Sequence, residues 1–218
     1  MFLMRQICYT ANILRVTLVY WMDNLVVIDG IIHNLYDVCL KFNQNFYNET
    51  DILIPKSLKR LKIDDALKNT VFMNRLIPKY LNYLSSGIGL DKDFLFNLGF
   101  DYDFRYRVKS IDTLNKKLYH NCGKDMYMAK ILNDCFGGRI ILPNVQVQEA
   151  DVMIKLQQLK DDGLISRFYK RDDGCYHAVH CYFQKQNSWF PWELQIWDQA
   201  CKKDNYLEHK RHEIERNS

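Results

Sequence analysis

Apolar residues recur at helical spacing through residues 1–99 of the chain. They follow one helical face from Leu25 to Phe46 and again from about Thr70 to Leu84, after which the segment 85–89, rich in serine and glycine, breaks the pattern. Between these stretches, Pro55 precedes a basic run at residues 56–62. The pattern predicts a helical N-terminal region over residues 1–99.

From residue 100 onward, short alternating runs rich in β-branched and aromatic residues replace the helical spacing. The predicted strands are Arg105–Ser110, Gly137–Leu142, Leu164–Lys170, Tyr176–Gln184 and Phe190–Trp197, with a turn at 172–174. The predicted helices are 112–121, capped by Asp112, then Val147–Lys160 and Asp198–Glu215. Residues 100–218 are therefore predicted to form an α+β domain, a mixed sheet of about five strands flanked by helices.

Two features bear on where the protein is located. The apolar run from Ile7 to Met22 is interrupted by charge at Arg5 and Arg15, so a buried helix or strand is predicted there, and no membrane partner. The seven cysteines are odd in number and contain no C-x-x-C pair. This argues against a disulfide framework and a structural zinc site and favours the reducing cytoplasm.

The first polar cluster lies where a predicted strand passes into a helix. Arg107 and Lys109 share one face of the strand, and Thr113 and Lys117 follow on the helix. Cations grouped in this way suit a polyphosphate, although a solvated basic edge has the same pattern. The net charge of +4 is compatible with a phosphate-rich partner, and no G-x-x-x-x-G-K-[ST] motif of P-loop NTPases is present.

Two further clusters contain carboxylates. Asp134 precedes a Gly-Gly-Arg sequence ending at Arg139, which suits a metal ligand and a base-stacking cation, although Asp before Gly is also ordinary turn chemistry. Glu193 and Gln195 share one face of a later strand, where Glu193 could also be a solvated residue.

The remaining cluster is aromatic. Tyr176 and His180 share a strand face, where the ring could stack on a base and the imidazole could contact phosphate, or both could belong to a half-buried strand. Taken together, the clusters supply carboxylates for Mg²⁺, cations for phosphates and an aromatic ring for a base. That combination favours phosphoryl or nucleotidyl transfer.

In order and spacing these clusters resemble the synthetase domain of the RelA/SpoT family, in its small alarmone synthetase form. The matching blocks are Arg107-Val-Lys109-Ser110 with Lys117, Asp134 with Gly137-Gly-Arg139, Tyr176-His-Ala-Val-His180, Glu193-Leu-Gln195-Ile and Leu207-Glu208-His209-Lys210. The resemblance covers residues 100–212, and the His-Asp dyad of the family's hydrolase domain is not visible. It implies a magnesium-dependent pyrophosphokinase that uses ATP as donor.

The resemblance also implies a role for each matched residue. The ATP-binding residues would be Arg107 and Arg139 around the adenine, and Lys109, Thr113 and Lys117 on the phosphates. Asp134 and Glu193 would bind Mg²⁺, and Glu193 would help to deprotonate the attacking 3′-hydroxyl. His180 and Gln195 would support the phosphate and metal shell, and Tyr176 would stack on the acceptor base.

The acceptor is where the sequence departs from the family. Guanosine alarmone synthetases usually read Gln-Ile-Arg-Thr where this chain has Gln195-Ile-Trp197-Asp198, and Lys202 replaces an asparagine that contacts guanine. The departure resembles the toxic branch, whose members pyrophosphorylate the 3′-terminal adenosine of tRNA and pair with an antitoxin protein. It places Trp197 and Lys202 among the acceptor-binding residues.

A tRNA acceptor would need cations outside the base pocket. The residues expected to hold it are Lys56, Lys59, Arg60 and Lys62, together with Arg167, Lys170 and Arg171. Two other readings stay open: a synthetase of (p)ppGpp or an adenosine alarmone, and a relative without activity that acts as a binding module.

Overall fold

Helices form the N-terminal part of the chain. They are α1 (Phe2–Glu49), α2 (Ile63–Lys68), a π-helical turn (Phe72–Leu76) and α3 (Ile77–Gly87). The structure is a computed structural model that describes residues 2–87 and 103–215, with side chains from Asn24 onward apart from positions 87, 209, 212, 213 and 215. The helix predicted over residues 25–46 is confirmed within α1. Within the described ranges, no helix is both long and apolar enough to cross a membrane.

The π-helical turn has a cause in the sequence. Pro78 carries no amide hydrogen, so the carbonyl of Asn74 cannot receive the bond that a regular α-helix would give it. The amide of Ile77 bonds the carbonyl of Phe72, five residues back, which is the π-helical spacing. The helix predicted over residues 70–84 is therefore confirmed with a local bulge.

Residues 103–215 contain the sheet and the helices around it. The strands are β1 (Asp103–Val108), β2 (Phe136–Leu142), β3 (Arg167–Asp173), β4 (Tyr176–Phe183) and β5 (Trp192–Asp198). The helices are α4 (Ile111–His120), α5 (Met128–Ile131), α6 (Glu149–Asp161) and α7 (Lys202–Glu215), the last entered through a 3₁₀ turn at Gln199–Cys201.

The strands form a five-stranded mixed sheet in the order β1-β2-β5-β4-β3. Strands β2 and β5 run parallel, and every other neighbouring pair is antiparallel. The predicted α+β architecture, a mixed sheet flanked by helices and preceded by a helical region, is confirmed. The central strand β5 is buried along its whole length, which places its polar residues in the interior of the site.

One face of the sheet packs against the helices. Alternate residues of β2, β4 and β5 join the helices in a single hydrophobic cluster that also includes much of α1 and α3. Trp192 of β5 shows the connection, because its indole nitrogen donates to the Tyr80 hydroxyl (2.9 Å) and its ring lies 5.4 Å from that of Phe42. The N-terminal helices thus share the core of the sheet, and the opposite face carries the polar residues.

Several local predictions need correction. The N-cap of α4 is Ser110, whose hydroxyl accepts from the Thr113 amide at 3.2 Å, and Asp112 lies in the first helical turn. Within the region predicted to be helical, the basic run at residues 56–62 is a loop with a turn, which ends in an isolated β-bridge between Lys62 and Tyr127. The short helices α2 and α5 were not predicted. The turn between β3 and β4, predicted at 172–174, consists of Gly174 (φ +62°) and Cys175, because β3 extends to Asp173.

Two predictions fall outside the described residues. The end of the second N-terminal helix was predicted at 85–89, but α3 runs to Gly87 and positions 88 and 89 are not described. The burial predicted for residues 7–22 concerns side chains that are likewise not described, although their backbone belongs to α1.

Candidate active site

Two cross-strand rows on the polar face of the sheet contain the candidate site. The first row crosses the whole sheet through Arg107, Gly137, Glu193, Tyr182 and Arg167. The second row lies beside it and consists of Arg105, Arg139, Gln195, His180 and Tyr169. Because directly opposed residues share a face, the register brings Glu193 to the middle of a strip that has arginines on both sides.

A pocket opens over β1, β2 and β5. Its walls are Arg105, Tyr106, Arg107, Asp134, Gly137, Gly138, Arg139, Glu193 and Gln195, and it is called the arginine pocket below. A Cβ atom at Gly137 would meet only Arg107 Cγ, at 4.0 Å, but a longer side chain would stand between Arg107 and Glu193 in the first row. Because Gly137 has no side chain, Arg107 and Glu193 both face the arginine pocket.

Glu193 is held by three donors. His180 Nδ1 (2.9 Å) and the Tyr182 hydroxyl (2.7 Å) contact its Oε1, and Gln195 Nε2 donates to its Oε2 at 2.9 Å. Burial opposes ionisation of this carboxyl, but the hydrogen bond and charge of His180 outweigh it, so the pKa of Glu193 is lowered. Glu193 is therefore a fixed carboxylate at neutral pH.

Gln195 connects Glu193 to Arg139. Its Oε1 accepts from Arg139 Nε (3.4 Å) and Nη2 (3.3 Å), while its Nε2 serves Glu193. The central carbon of the Arg139 guanidinium lies over the Trp197 ring, 3.7 Å from the centroid. The arginine is thus held from below by an aromatic ring and from the side by an amide, and it lines the arginine pocket.

Asp134 lies between two lysines. Lys109 Nζ donates to its Oδ2, and Lys117 Nζ donates to its Oδ1 at 2.9 Å. Burial would raise the pKa of Asp134, but the two ammonium groups lower it well below its ordinary value. The pKa of Lys109 is lowered because burial outweighs the attraction of Asp134. Asp134 is ionised and bound to its lysines in this structure.

The residues predicted to bind ATP divide into two groups. Arg107 and Arg139 line the arginine pocket together, as a base site would require. Lys109 is 3% exposed, and its ammonium is committed to Asp134. Lys117 also donates to the Ile131 carbonyl at 2.9 Å, at the end of α5, and the Thr113 hydroxyl contacts that of Ser110. Phosphate binding by the lysines would require them to exchange partners.

The predicted acceptor residues are not free for that role in this structure. Trp197 is fully buried, with Arg139 over its ring and Tyr206 of α7 at its edge (5.2 Å), so it offers no open face to a base. Tyr176 is 3% exposed, and its hydroxyl bonds His180 Nε2 at 3.0 Å. Lys202 binds Asp103 at 2.9 Å. The structure thus gives Trp197 a supporting place beneath Arg139.

The basic residues predicted to hold a tRNA also differ from one another. Lys56, Lys59 and Arg60 are exposed. Lys62 is paired with Asp125 at 2.6 Å. On β3, Lys170 binds Glu149 and Asp172, and Arg171 binds Asp173, whereas Arg167 stacks over Tyr182 (4.1 Å). The cations of this surface are therefore partly neutralised by neighbouring carboxylates.

Mg²⁺ can be tested against the donor set. Within the described residues, no three His, Cys, Asp or Glu side chains form a metal-binding group. Asp134 and Glu193 line one pocket. Among the described residues, Glu193 Oε2 and each oxygen of Asp134 accept one hydrogen bond, so each keeps a lone pair for a ligand. Mg²⁺ commonly binds one or two carboxylates together with waters and phosphates, so the residues fit this ion once phosphates are present.

Sequence reasoning did not identify Tyr182 or Arg105. Tyr182 donates to Glu193, and the negative charge of Glu193, after burial, raises the pKa of the phenol, which keeps it a donor. Arg105 lines the arginine pocket and is paired with Asp103 at 2.7 Å. Both could have been found from the strand alternation, since Tyr182 is two residues from His180 and Arg105 two from Arg107.

Comparison with known proteins gives limited similarity. No family model and no curated protein matches the sequence. Among solved structures, the chain is similar to small alarmone synthetase 2 from Bacillus subtilis (20% identity, TM-score 0.34, 53% of this chain and 65% of the other). It is also similar to small alarmone synthetase 1 from that organism, both bound to its product pppGpp (19%, 0.31, 50% and 61%) and bound to AMPCPP (18%, 0.29, 66% and 75%).

The similarity is partial in extent as well as low in identity. The match spans less than two thirds of the first two of those chains. Similarity at this level does not determine an activity, so the function must be inferred from the side chains of the site.

Proposed function

We propose that the protein is a magnesium-dependent pyrophosphokinase, which transfers the β,γ-pyrophosphate of ATP to a ribose 3′-hydroxyl. The observation that supports this most is Glu193, an ionised carboxylate fixed by His180, Tyr182 and Gln195 at the edge of a pocket lined by arginines. Transfer to phosphorus needs positioning and charge stabilisation more than covalent chemistry. The arginine pocket offers both.

The donor nucleotide would lie in the arginine pocket. Its adenine would stack between Arg107 and the part of Arg139 that lines the pocket, with Trp197 and Tyr206 supporting that guanidinium at 3.7 and 5.2 Å. The phosphates would extend toward Asp134 and draw Lys109 and Lys117 away from it. Magnesium, when bound, would neutralise phosphate charge, and Asp134 and Glu193 are the carboxylates that would hold it.

Glu193 would orient the acceptor hydroxyl. The 3′-oxygen forms a bond with the β-phosphorus, the bond from that phosphorus to the α,β-bridging oxygen breaks, and AMP leaves with the electron pair. The lowered pKa keeps Glu193 ionised, so it accepts the hydrogen bond of the hydroxyl from the start. Because the same pKa makes it a weak base, the proton would move to it late, as the new bond forms.

We further propose that the acceptor is the 3′-terminal adenosine of tRNA, which would make the protein an inhibitor of translation in the cytoplasm and give it an antitoxin partner. Trp197 no longer supports this choice, because it lies beneath Arg139. The support comes from exposed cations near the site, among them Lys59 and Arg167. A GDP or GTP acceptor, giving (p)ppGpp, is the competing possibility and is an outcome of the experiments below.

The activity is tested by following AMP formation from ATP in the presence of Mg²⁺ and a mixture of bulk tRNA, GDP and GTP. Glu193→Gln should reduce the rate by at least about 100-fold, because it removes the charge that orients the hydroxyl and metal. Asp37→Asn, at an exposed carboxylate on α1, is the matched control and should leave the rate unchanged. Wild-type turnover in Glu193→Gln would contradict the proposed role.

A further inference from the structure

A second pocket lies on the other side of Glu193 from the arginine pocket. Its walls include Lys59, Lys130, Arg167, Tyr182, Gln184 and Pro191, and it is called the lysine pocket below. We infer that the lysine pocket binds a phosphate of the acceptor, namely a phosphodiester next to the 3′-terminal nucleotide of an RNA. The inference rests on the proposed function, since it assigns the acceptor RNA to this surface and leaves ATP in the arginine pocket.

The charge of the lysine pocket is not balanced by the protein. In the part of the chain that the structure describes, no carboxylate oxygen lies within ion-pair distance of Lys59, Lys130 or Arg167. Nearby cations such as Lys62 and Lys170 have acidic partners at 2.6 and 2.8 Å. Three like charges around one concave surface repel each other, and a bound phosphate would remove that repulsion.

The lysine pocket is connected to the site through Tyr182. The first row runs from Glu193 on β5 to Tyr182 on β4 and then to Arg167 on β3. The Tyr182 hydroxyl bonds Glu193 at 2.7 Å, and the Arg167 guanidinium lies 4.1 Å from the centre of the same ring. An acceptor whose 3′-hydroxyl meets Glu193 therefore has the lysine pocket on the side away from the donor.

The backbone that carries these cations is anchored. The amide next to Lys59, that of Leu58, bonds Asn187 at 2.9 Å, and the Leu58 carbonyl accepts from Ala129 at 3.0 Å, beside Lys130. The Ser166 amide, next to Arg167, bonds the Tyr182 carbonyl at 2.7 Å. These bonds fix the backbone positions of the three cations relative to one another and to β4, while their exposed side chains can still reach a ligand.

The test compares two triple variants of the full chain. Lys59→Ala, Lys130→Ala and Arg167→Ala together remove the cations of the lysine pocket. The control combines Lys41→Ala, Lys160→Ala and Lys203→Ala, which removes the same charge at exposed positions outside both pockets. Three probes are titrated: a 5′-fluorescein oligoribonucleotide ending in CCA, GDP, and a non-hydrolysable ATP analogue.

The pocket variant should bind the oligoribonucleotide at least about 10-fold more weakly than the control. Because the contact to one phosphodiester is lost, the slope of log K against log salt should become shallower by about 0.7. Binding of the ATP analogue should be unchanged. A loss confined to GDP, an equal loss for the ATP analogue, or no loss at all would each overturn the inference. If wild type forms no AMP but the oligoribonucleotide result holds, the proposed activity fails and the RNA site stands.

Discussion

Tyr182 is the residue at which orienting Glu193 for catalysis can best be distinguished from stabilising the fold. Its hydroxyl donates to Glu193 at 2.7 Å and also contacts the Tyr169 hydroxyl at 3.2 Å. We expect Tyr182→Phe to lower kcat by about 10-fold to 100-fold with little change in KM for ATP. Glu193 loses one of the hydrogen bonds that orient it, while the arginine pocket, where ATP would bind, is unchanged. Steady-state AMP formation measures both constants.

The control for that variant is Tyr119→Phe, which removes a hydroxyl from an exposed ring on α4. Tyr119→Phe should change the free energy of unfolding by less than about 0.5 kcal/mol, whereas Tyr182→Phe should lower it by about 1.5 to 3 kcal/mol, the range for a hydrogen bond to a charged group. An unchanged kcat in Tyr182→Phe would show that Glu193 does not depend on this hydrogen bond.

Trp197 gives a second prediction at the residue scale. Because Arg139 rests on its indole at 3.7 Å, the ring should act on ATP binding instead of acceptor binding. Trp197→Leu should raise KM for ATP by about 10-fold relative to Trp197→Phe, which keeps an aromatic face for the guanidinium. An equal KM for ATP in the two variants, with a change in KM for the acceptor, would return Trp197 to the acceptor side.

At the scale of elements, the Asp134 triad joins three parts of the fold. Lys109 follows β1, Lys117 belongs to α4, and Asp134 precedes β2. Asp134→Asn should therefore lower the free energy of unfolding by about 3 to 5 kcal/mol at neutral pH, because it leaves a buried lysine without its counter-charge. Urea denaturation measures this value, and Asp37→Asn, at an exposed site, should change it little.

The same triad predicts a pH dependence. The folded-state pKa of Asp134 lies below its ordinary value of 3.8. Its contribution is therefore complete above the unfolded pKa and is lost as the pH falls through the folded pKa. The difference between wild type and Asp134→Asn should be constant near neutral pH and shrink below pH 3.8. The limit of pH 5 lies about one unit above the ordinary pKa of an aspartate. If the difference in stability already shrinks above that pH, the pKa of Asp134 is not lowered.

These elements also show what the sequence could predict. Alternation along the strands was enough to put Arg107 on the polar face and to pair Glu193 with Gln195, because the side-chain period of a strand is fixed. The lysine partners of Asp134 could not be derived, since β1, α4 and β2 are brought together by the topology. The burial of Trp197 could not be derived for the same reason, because its ring is covered by Tyr206 of α7, a helix that also bonds β4 through Asn205 and His177.

At the scale of the whole molecule, the N-terminal helices and the sheet share one core. Trp192 joins them through Tyr80 and Phe42. We expect one cooperative unfolding transition in a Trp21→Phe variant, whose remaining tryptophans, at positions 189, 192 and 197, lie on β5 and just before it. Its tryptophan fluorescence should change together with the far-ultraviolet circular dichroism, which reports mainly on the helices. Two separated transitions would instead support residues 1–99 and 100–218 as independent folding units.

The pyrophosphokinase assignment determines every other role given to the site. The most direct measurement incubates the protein with Mg²⁺ and ATP labelled at the α- or the γ-phosphate, in parallel with tRNA, tRNA lacking its terminal adenosine, GDP or GTP. We predict that the amount of α-labelled AMP formed equals the amount of γ-label incorporated into intact tRNA. The tRNA that lacks its terminal adenosine should incorporate no γ-label. γ-Label on GDP or GTP would instead identify the protein as an alarmone synthetase. Formation of ADP, or of free pyrophosphate without AMP, would contradict pyrophosphate transfer altogether.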